Sequence, residues 1–157
     1  MFWFAGIERL KSLEKNARII IVDDDETIRK TMKAILEDEE YIVDLAATGK
    51  EAIEMTQKTA YNVALLDIRL PDMEGIELLN RIKDYVPRTR KIMVTGYPSM
   101  GNAISALNKN ADAYLVKPVD VKNLLEVVKK QLQLQEEEKN FSELKVAEFI
   151  EARVNAI

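Results

Sequence analysis

The feature of this sequence that most constrains its fold is a repeated alternation of short apolar segments with amphipathic ones. The apolar segments are rich in β-branched residues and read ARIIIVDDD, YIVDLAA, NVALLD, RKIMVTG and DAYLVKP. Continuous apolar runs of this length are typical of parallel strands buried on both faces. Strand–helix units that alternate over about 120 residues predict an α/β protein with an open parallel sheet and helices on both faces.

The stretches between these strands predict helices with recognisable ends. Asp25 is expected to cap the first helix, and Thr48 begins a capping box, TGKE, at the start of the second. The third helix, GIELLNRIKDYV, is predicted to continue until Pro87 stops it. The fourth is expected at about residues 100–108, and a long last helix is predicted to begin near Asp120.

Composition excludes several classes of site. The chain has neither cysteine nor histidine, so disulfides, thiolate or imidazole metal sites and a histidine general base are ruled out. Lys+Arg 23 against Asp+Glu 27 gives a formal net charge of -4, which supplies no basic surface for a nucleic-acid backbone. Direct binding of DNA or RNA by this chain is therefore not expected.

The sequence also bears on location. No apolar run approaches the roughly 20 residues that cross a bilayer. The opening MFWFAGI is apolar, but it lacks the charged start and the cleavage site of a signal peptide. A cytoplasmic protein is expected.

Polar side chains follow several of the predicted strands at the point where each strand ends. In open parallel sheets, ligands bind beyond these carboxyl ends. Carboxylates that meet there repel each other unless a cation lies among them, and oxygen ligands without histidine or cysteine favour Mg²⁺. A carboxylate, a lysine and a hydroxyl beside such an ion can also carry out phosphoryl transfer. The residues concerned are Asp23, Asp24, Asp25, Asp67, Thr95 and Lys117.

Four segments, IIIVDDDETIR, LLDIRLPDMEG, MVTGYPS and AYLVKPVD, resemble in order and spacing the signature blocks of the receiver domain of two-component response regulators. The resemblance covers about residues 18–133. It implies a flavodoxin-like, doubly wound five-stranded sheet in the order 2-1-3-4-5. Residues 1–17 and 134–157 are then helical extensions at the two ends of the domain.

The resemblance also implies a phosphorylation site. Asp67 matches the aspartate that accepts a phosphoryl group from a sensor histidine kinase. Asp23 and Asp24 match the acidic pair that holds Mg²⁺ together with Asp67, and the backbone carbonyl of Arg69 would complete the metal site. Asp25 is expected to cap the first helix more than to bind metal.

A switch is implied as well. Thr95 matches the hydroxyl residue that hydrogen-bonds the new phosphoryl group, and Lys117 matches the lysine that pairs with it. Tyr114 matches the aromatic residue whose ring turns inward as the threonine moves, and the Lys117–Pro118 bond would be cis. The surface made by the fourth helix, fifth strand and fifth helix would then change its preference for a downstream protein partner.

Two alternatives stay open. A phosphatase of the haloacid-dehalogenase type also uses an aspartate nucleophile with Mg²⁺, but it expects a second aspartate where this chain has Arg69. A receiver-like scaffold that is not phosphorylated would lack the acceptor, the acidic pair or the lysine, and all of these are present. The expectation is therefore a signalling domain that catalyses only its own phosphoryl transfer and dephosphorylation, and not an enzyme.

Both ends of the chain carry apolar stripes at helical spacing. Between the receiver region and the second stripe, QLQLQEEEKN reads as a solvated helix or a linker, and Asn140 with Glu143 could cap a separate helix. The stripes favour a homodimer through the terminal helices over docking within one chain, and a membrane contact is least expected. The stripes comprise Trp3, Ile7, Leu10 and Leu13 at one end, and Val146, Phe149, Ile150, Val154 and Ile157 at the other.

Overall fold

The computed structural model describes residues 15–85, 87–96, 99, 105 and 111–155. Apart from Ser105, the predicted fourth helix lies outside these residues, and so does the N-terminal stripe from Trp3 to Leu13. The elements in chain order are β1 (Arg18–Val22), α1 (Glu26–Asp38), β2 (Ile42–Ala46), α2 (Gly49–Lys58), β3 (Val63–Asp67), α3 (Gly75–Arg81), β4 (Arg90–Thr95), β5 (Ala113–Val116) and α4 (Val121–Asn155).

The strands form one parallel sheet in the order β2-β1-β3-β4-β5, which confirms the predicted fold. Successive side chains of a strand point to opposite faces, so β1 contributes Ile19 and Ile21 to one core and Ile20 and Val22 to the other. The first core is closed by α1 and α4 and the second by α2 and α3. Helices on both faces explain why the central strands are apolar throughout.

The predicted helix caps are present. The Asp25 side chain accepts a hydrogen bond from the Ile28 N–H at 3.0 Å, and Thr48 Oγ1 accepts one from the Glu51 N–H at 3.1 Å. Asp120 accepts from the N–H of Asn123 at the start of α4. Each side chain satisfies a backbone donor that the first turn of a helix leaves free.

Helix α3 is shorter than predicted. It ends at Arg81 and not just before Pro87, although Ile82 remains buried in an extended conformation. Beyond the helix, Asp84 pairs with Lys91 at 3.1 Å, and the Tyr85 hydroxyl donates to the Thr56 carbonyl at 3.0 Å. These contacts with β4 and α2 take the place of another helical turn.

Helix α4 is continuous from Val121 to Asn155, so the prediction of a separate helix capped by Asn140 is wrong. The tract QLQLQEEEKN is helical, but it is not solvated throughout, because Gln131, Leu132 and Gln135 are buried. The tract contains neither glycine nor proline and is rich in glutamate, lysine and glutamine, which favour helix. Its first half is anchored on the sheet by Leu124, Val128 and Leu132. In the described part of the chain, no helix has the length and apolar character of a membrane span.

Candidate functional site

Three carboxylates meet at the carboxyl edge of the sheet. Asp23 follows the last residue of β1, and Asp67 is the last residue of β3. The exposed fraction is 1% for Asp23 and 9% for Asp67, whereas Asp24 is exposed. One carboxylate oxygen from each of the three lies within 4.8 Å of the others. The structure thus brings together the acidic residues that the sequence predicted to meet.

Lys117 closes this cluster from the end of β5. Its Nζ lies 2.6 Å from Asp23 Oδ2 and 3.2 Å from Asp67 Oδ2. The Lys117 N–H donates to the Thr95 carbonyl at 2.7 Å, and the Lys117–Pro118 bond is cis, as the resemblance implied. Thr95 itself is buried at the end of β4. All four strand-end groups therefore lie at one edge of the sheet.

Burial and charge oppose each other at this edge. Burial, and next the charge of Asp23, raise the pKa of Asp67, and Lys117 offsets part of that rise. Burial alone would lower the pKa of Lys117, but the hydrogen bond and charge of Asp23, followed by those of Asp67, hold it above its usual value. The lysine therefore stays an ammonium ion, and it partly neutralises the carboxylates.

The donor set fits a hard divalent cation. Three carboxylates with oxygen-only chemistry are the ligands that Mg²⁺ accepts, alongside water and phosphate oxygens. The Arg69 N–H lies 3.4 Å from Asp67 Oδ1, and Arg69 pairs with Glu74 in an antiparallel bridge that shapes the loop after β3. The role of the Arg69 carbonyl as a metal ligand stays a prediction.

Neighbouring residues orient the acidic pair. The Asp25 N–H donates to Asp23 Oδ1 at 2.9 Å, while the Asp25 side chain caps α1 as predicted. Arg29 Nη1 donates to the Asp23 carbonyl at 2.6 Å, a contact that sequence reasoning missed. The position of Arg29 in the first turns of α1, four residues after Asp25, is a signal that could have indicated it.

The loop after β3 is fixed by two further contacts. Asp72 accepts from the N–H groups of Gly49 and Lys50, both at 2.9 Å, and so caps α2 from 23 residues away. No local pattern predicts that pairing. The Gly75 N–H donates to the Ile68 carbonyl at 2.6 Å, and a Cβ added to Gly75 would overlap the Asp67 carbonyl oxygen. Glycine here lets α3 begin directly against the end of the acceptor strand.

Tyr114 lies on β5, in register with Met93 of β4, and packs against the core closed by α2 and α3. Its hydroxyl is buried and has no hydrogen-bond partner among the described residues. Burial raises its pKa above the usual value. A buried hydroxyl without a partner is unfavourable, so this position is compatible with a ring that changes environment.

The family model for the response regulator receiver domain matches residues 19–129. The transcriptional regulatory protein ZraR of Escherichia coli K12 is 35% identical over 74% of this chain and 26% of its own length. The alginate biosynthesis transcriptional regulatory protein AlgB of Pseudomonas aeruginosa is 32% identical over 78% of this chain and 27% of its own length. The chain thus spans about a quarter of these curated relatives.

Solved structures give the same result for the fold. A CheY-like response regulator receiver domain from Methanospirillum hungatei is 48% identical with a TM-score of 0.74, over 79% of this chain and 99% of that one. NtrX from Brucella abortus is 28% identical with a TM-score of 0.76, over 82% of this chain and 29% of that one.

Proposed function

The chain belongs to the response regulator receiver domain family, and from this membership we propose that Asp67 accepts a phosphoryl group from a sensor histidine kinase with Mg²⁺ bound. The observation that carries the proposal is the position of Asp67 at the end of β3, with the Asp23 carboxylate and the Lys117 ammonium beside it. The function is to convert this phosphorylation into a change of protein contacts.

The chemistry is assigned to the residues at the sheet edge. Asp23, Asp24 and Asp67 would hold Mg²⁺, which supplies positive charge to the phosphoryl oxygens when it is bound. An oxygen of Asp67 attacks phosphorus, the P–N bond to the kinase histidine breaks, and the imidazole nitrogen keeps the bonding electron pair. Lys117 then pairs with a phosphoryl oxygen, and the Thr95 hydroxyl donates to another.

The same assignment makes the protein a signalling domain that catalyses only its own phosphoryl transfer and dephosphorylation. A phosphatase of the haloacid-dehalogenase type would need an acid two residues after Asp67 to protonate a leaving group. Arg69 stands there, and arginine remains protonated and cannot supply that proton. Turnover of outside phosphate esters is therefore not part of the proposal, and the cytoplasm is the location that it implies.

A cleft beside the site is suited to the kinase. It measures about 500 Å³, and Lys117 is one of its lining residues, so the cleft opens next to the acceptor. Its other walls are mostly apolar and come from α1, from Pro118 and Val119 after β5, and from Leu124 of α4. We assign to it the helix that carries the phosphorylated histidine of the kinase. The residues from α1 are Thr27, Ile28, Thr31, Met32 and Ile35.

We propose that the phosphorylated protein passes on its signal through contacts with other protein chains. Tyr114 and the exposed Val116 lie on β5, and we assign the change of partner preference to a surface that includes this strand. On α4, Val146, Phe149 and Ile150 are exposed large apolar residues, and we assign the homodimer contact of the terminal helices to this stripe. Light scattering of the full chain should then give twice the monomer mass, and V146S with F149S should halve it; a monomeric wild-type chain would exclude the dimer.

Labelling by acetyl phosphate tests the acceptor. Asp67→Asn should abolish the gain of one phosphoryl group in intact mass spectra, and it should also abolish binding of beryllofluoride. The matched control is Asp38→Asn, at an exposed position at the end of α1, which should be labelled like the wild type. Undiminished labelling of Asp67→Asn would overturn the assignment.

A further inference from the structure

Asp72 lies in the loop after β3, residues 68–74, which directly follows the proposed phosphoryl acceptor Asp67. Its Oδ1 accepts a hydrogen bond from the Gly49 N–H and its Oδ2 accepts one from the Lys50 N–H, both at 2.9 Å. These donors belong to the first turn of α2, where free N–H groups and the helix dipole favour a carboxylate. The bond from Lys50, and next that from Gly49, hold the pKa of Asp72 below its usual value.

A second contact joins the same loop to α2. Met73 lies so close to Gly49 that a Cβ added to this glycine would overlap the methionine sulfur. Met73 is partly buried and packs against the core closed by α2 and α3. Two successive residues at the tip of the loop therefore hold it on α2, one through hydrogen bonds to a carboxylate and the other through an apolar contact.

Backbone contacts close the loop on itself, so its tip and its base move together. The Leu70 N–H donates to the Met73 carbonyl at 3.2 Å, and Arg69 and Glu74 form an antiparallel bridge. At the base, the Arg69 N–H lies 3.4 Å from Asp67 Oδ1. A displacement of the tip would therefore change the positions of the Arg69 carbonyl and of the acceptor carboxylate.

We propose that Asp72 is a positioning residue for the phosphorylation site. By holding the loop after β3 on α2, it keeps the Arg69 carbonyl and the Asp67 carboxylate where they can bind Mg²⁺. This role rests on the proposed function, which supplies the metal. Side chains that orient metal ligands contribute roughly 10- to 100-fold to metal affinity. Asp72 acts through the backbone of the loop, so an effect at the lower end of this range is expected.

Two matched variants separate this role from simpler ones. Thr48 Oγ1 caps the same helix by accepting from the Glu51 N–H at 3.1 Å, so Thr48→Ala weakens the first turn of α2 and leaves the bonds to Asp72 in place. Glu74→Gln removes one negative charge from the same loop, while the bridge to Arg69 is made by backbone atoms and is kept. Neither variant releases the tip of the loop from α2.

Calorimetric titration of the full chain with Mg²⁺ tests the proposal. Asp72→Ala should raise the Mg²⁺ dissociation constant on the order of 10-fold, whereas Thr48→Ala and Glu74→Gln should stay close to the wild type. Equal affinities of Asp72→Ala and the wild type would overturn the proposal. An equal loss of affinity in Thr48→Ala would also overturn it, because the effect would then come from α2 alone. An equal loss in Glu74→Gln would overturn it in favour of the charge of the loop.

Labelling by acetyl phosphate distinguishes a failure of this role from a failure of the proposed function. In Asp72→Ala, the Mg²⁺ concentration that gives half the maximal labelling rate should rise together with the dissociation constant. The rate at saturating Mg²⁺ should remain that of the wild type, since the nucleophile is unchanged. A lower maximal rate with an unchanged Mg²⁺ dependence would overturn the positioning role. Absence of labelling in the wild type would refute the phosphorylation of Asp67, and the calorimetric comparison would still decide whether Asp72 positions the metal ligands.

Discussion

The Lys117 ammonium lies 2.6 Å from the Asp23 carboxylate, and both side chains are largely buried. Asp23 is also one of the three carboxylates that fit a divalent cation. The ammonium and the proposed Mg²⁺ therefore share one anionic partner and compete for its charge. Removal of the Lys117 charge is therefore expected to have different effects on Mg²⁺ binding and on phosphoryl transfer.

Lys117→Met should leave Mg²⁺ affinity unchanged or raise it, because a competing cation is removed from Asp23 and Asp67. The rate of labelling by acetyl phosphate should fall on the order of 100-fold, because the negative charge on the phosphoryl oxygens loses a fixed donor. Calorimetry measures the first effect and mass spectrometry the second. Lys122→Met, at an exposed position on α4, is the control. Loss of Mg²⁺ affinity in Lys117→Met would contradict this account.

Gly75→Ala should destabilise the fold by more than about 2 kcal/mol, because overpacking against backbone has no easy relief. The new Cβ would overlap the carbonyl oxygen of Asp67 and displace either α3 or the end of β3. Gly96→Ala is the matched control, since its Cβ would lie 3.9 Å from Lys117. Urea unfolding curves compare the two. Equal urea midpoints for Gly75→Ala and Gly96→Ala would contradict this prediction, because they would show that the loop after β3 accommodates the added methyl group.

Tyr114→Phe should leave the free energy of unfolding unchanged or raise it by up to about 1 kcal/mol. The hydroxyl is buried without a partner among the described residues, so its removal relieves a desolvation cost and loses no described hydrogen bond. Thermal unfolding of the two proteins measures the difference. A loss of 2 kcal/mol or more would contradict this account, because it would mean that the hydroxyl makes a stabilising hydrogen bond in the folded protein.

The strand-end residues could be predicted because a repeated local pattern determines them. Once five strands run parallel, Asp23, Asp67, Thr95 and Lys117 must emerge at the same edge of the sheet, whatever the details of packing. Helix caps such as Asp25 are equally local, because the donor and acceptor are three residues apart. These features need no knowledge of which distant residues meet.

The end of α3 and the polar contacts of α4 could not be predicted for the opposite reason. Asp84 and Tyr85 leave the helical pattern because their partners, Lys91 and Thr56, are brought near by the sheet. Gln135 reads as part of a solvated tract, yet it is buried against Asn62, 73 residues earlier. Apolar periodicity says nothing about which polar side chain will find a distant partner.

We expect acid to lower the free energy of unfolding because it protonates the Asp112 carboxylate. Burial alone would raise the pKa of this carboxyl, but hydrogen bonds from Arg88 and the Lys91 N–H, with the charge of Arg90, hold it below its usual value. A lowered pKa stabilises the folded state above the unfolded value of about 3.9, and that stabilisation is lost as the pH falls through the folded value.

Asp112→Asn should therefore cost about 2 kcal/mol at neutral pH, because hydrogen bonds from a charged group are lost. The difference in free energy of unfolding between Asp112→Asn and the wild type should stay constant down to about pH 5 and should disappear below about pH 4. Urea unfolding curves of both proteins at a series of pH values measure this difference. A difference that widens on acidification would show that another group dominates.

Gln135 fixes the direction in which α4 leaves the receiver. Its Nε2 donates to the carbonyls of Asn62 at 3.0 Å and Arg88 at 2.8 Å, and its Oε1 accepts from Asn62 Nδ2 at 2.9 Å. The side chain is buried. Gln135→Ala leaves the Arg88 carbonyl and the Asn62 side-chain amide without this partner, whereas the Asn62 carbonyl keeps the hydrogen bond from the Arg90 N–H. The substitution should lower the free energy of unfolding by about 3 kcal/mol.

Gln133→Ala removes the same side chain from an exposed position two residues earlier, so it should stay within about 0.5 kcal/mol of the wild type. The loss in Gln135→Ala should also loosen α4 beyond the sheet, because Asn62 no longer bridges β1 and α4. Amide exchange should then accelerate from Gln135 to Asn155 while β1 and β3 stay protected. If both variants unfold at the same urea concentration, the amide network does not anchor the helix and the apolar stripe alone must hold it.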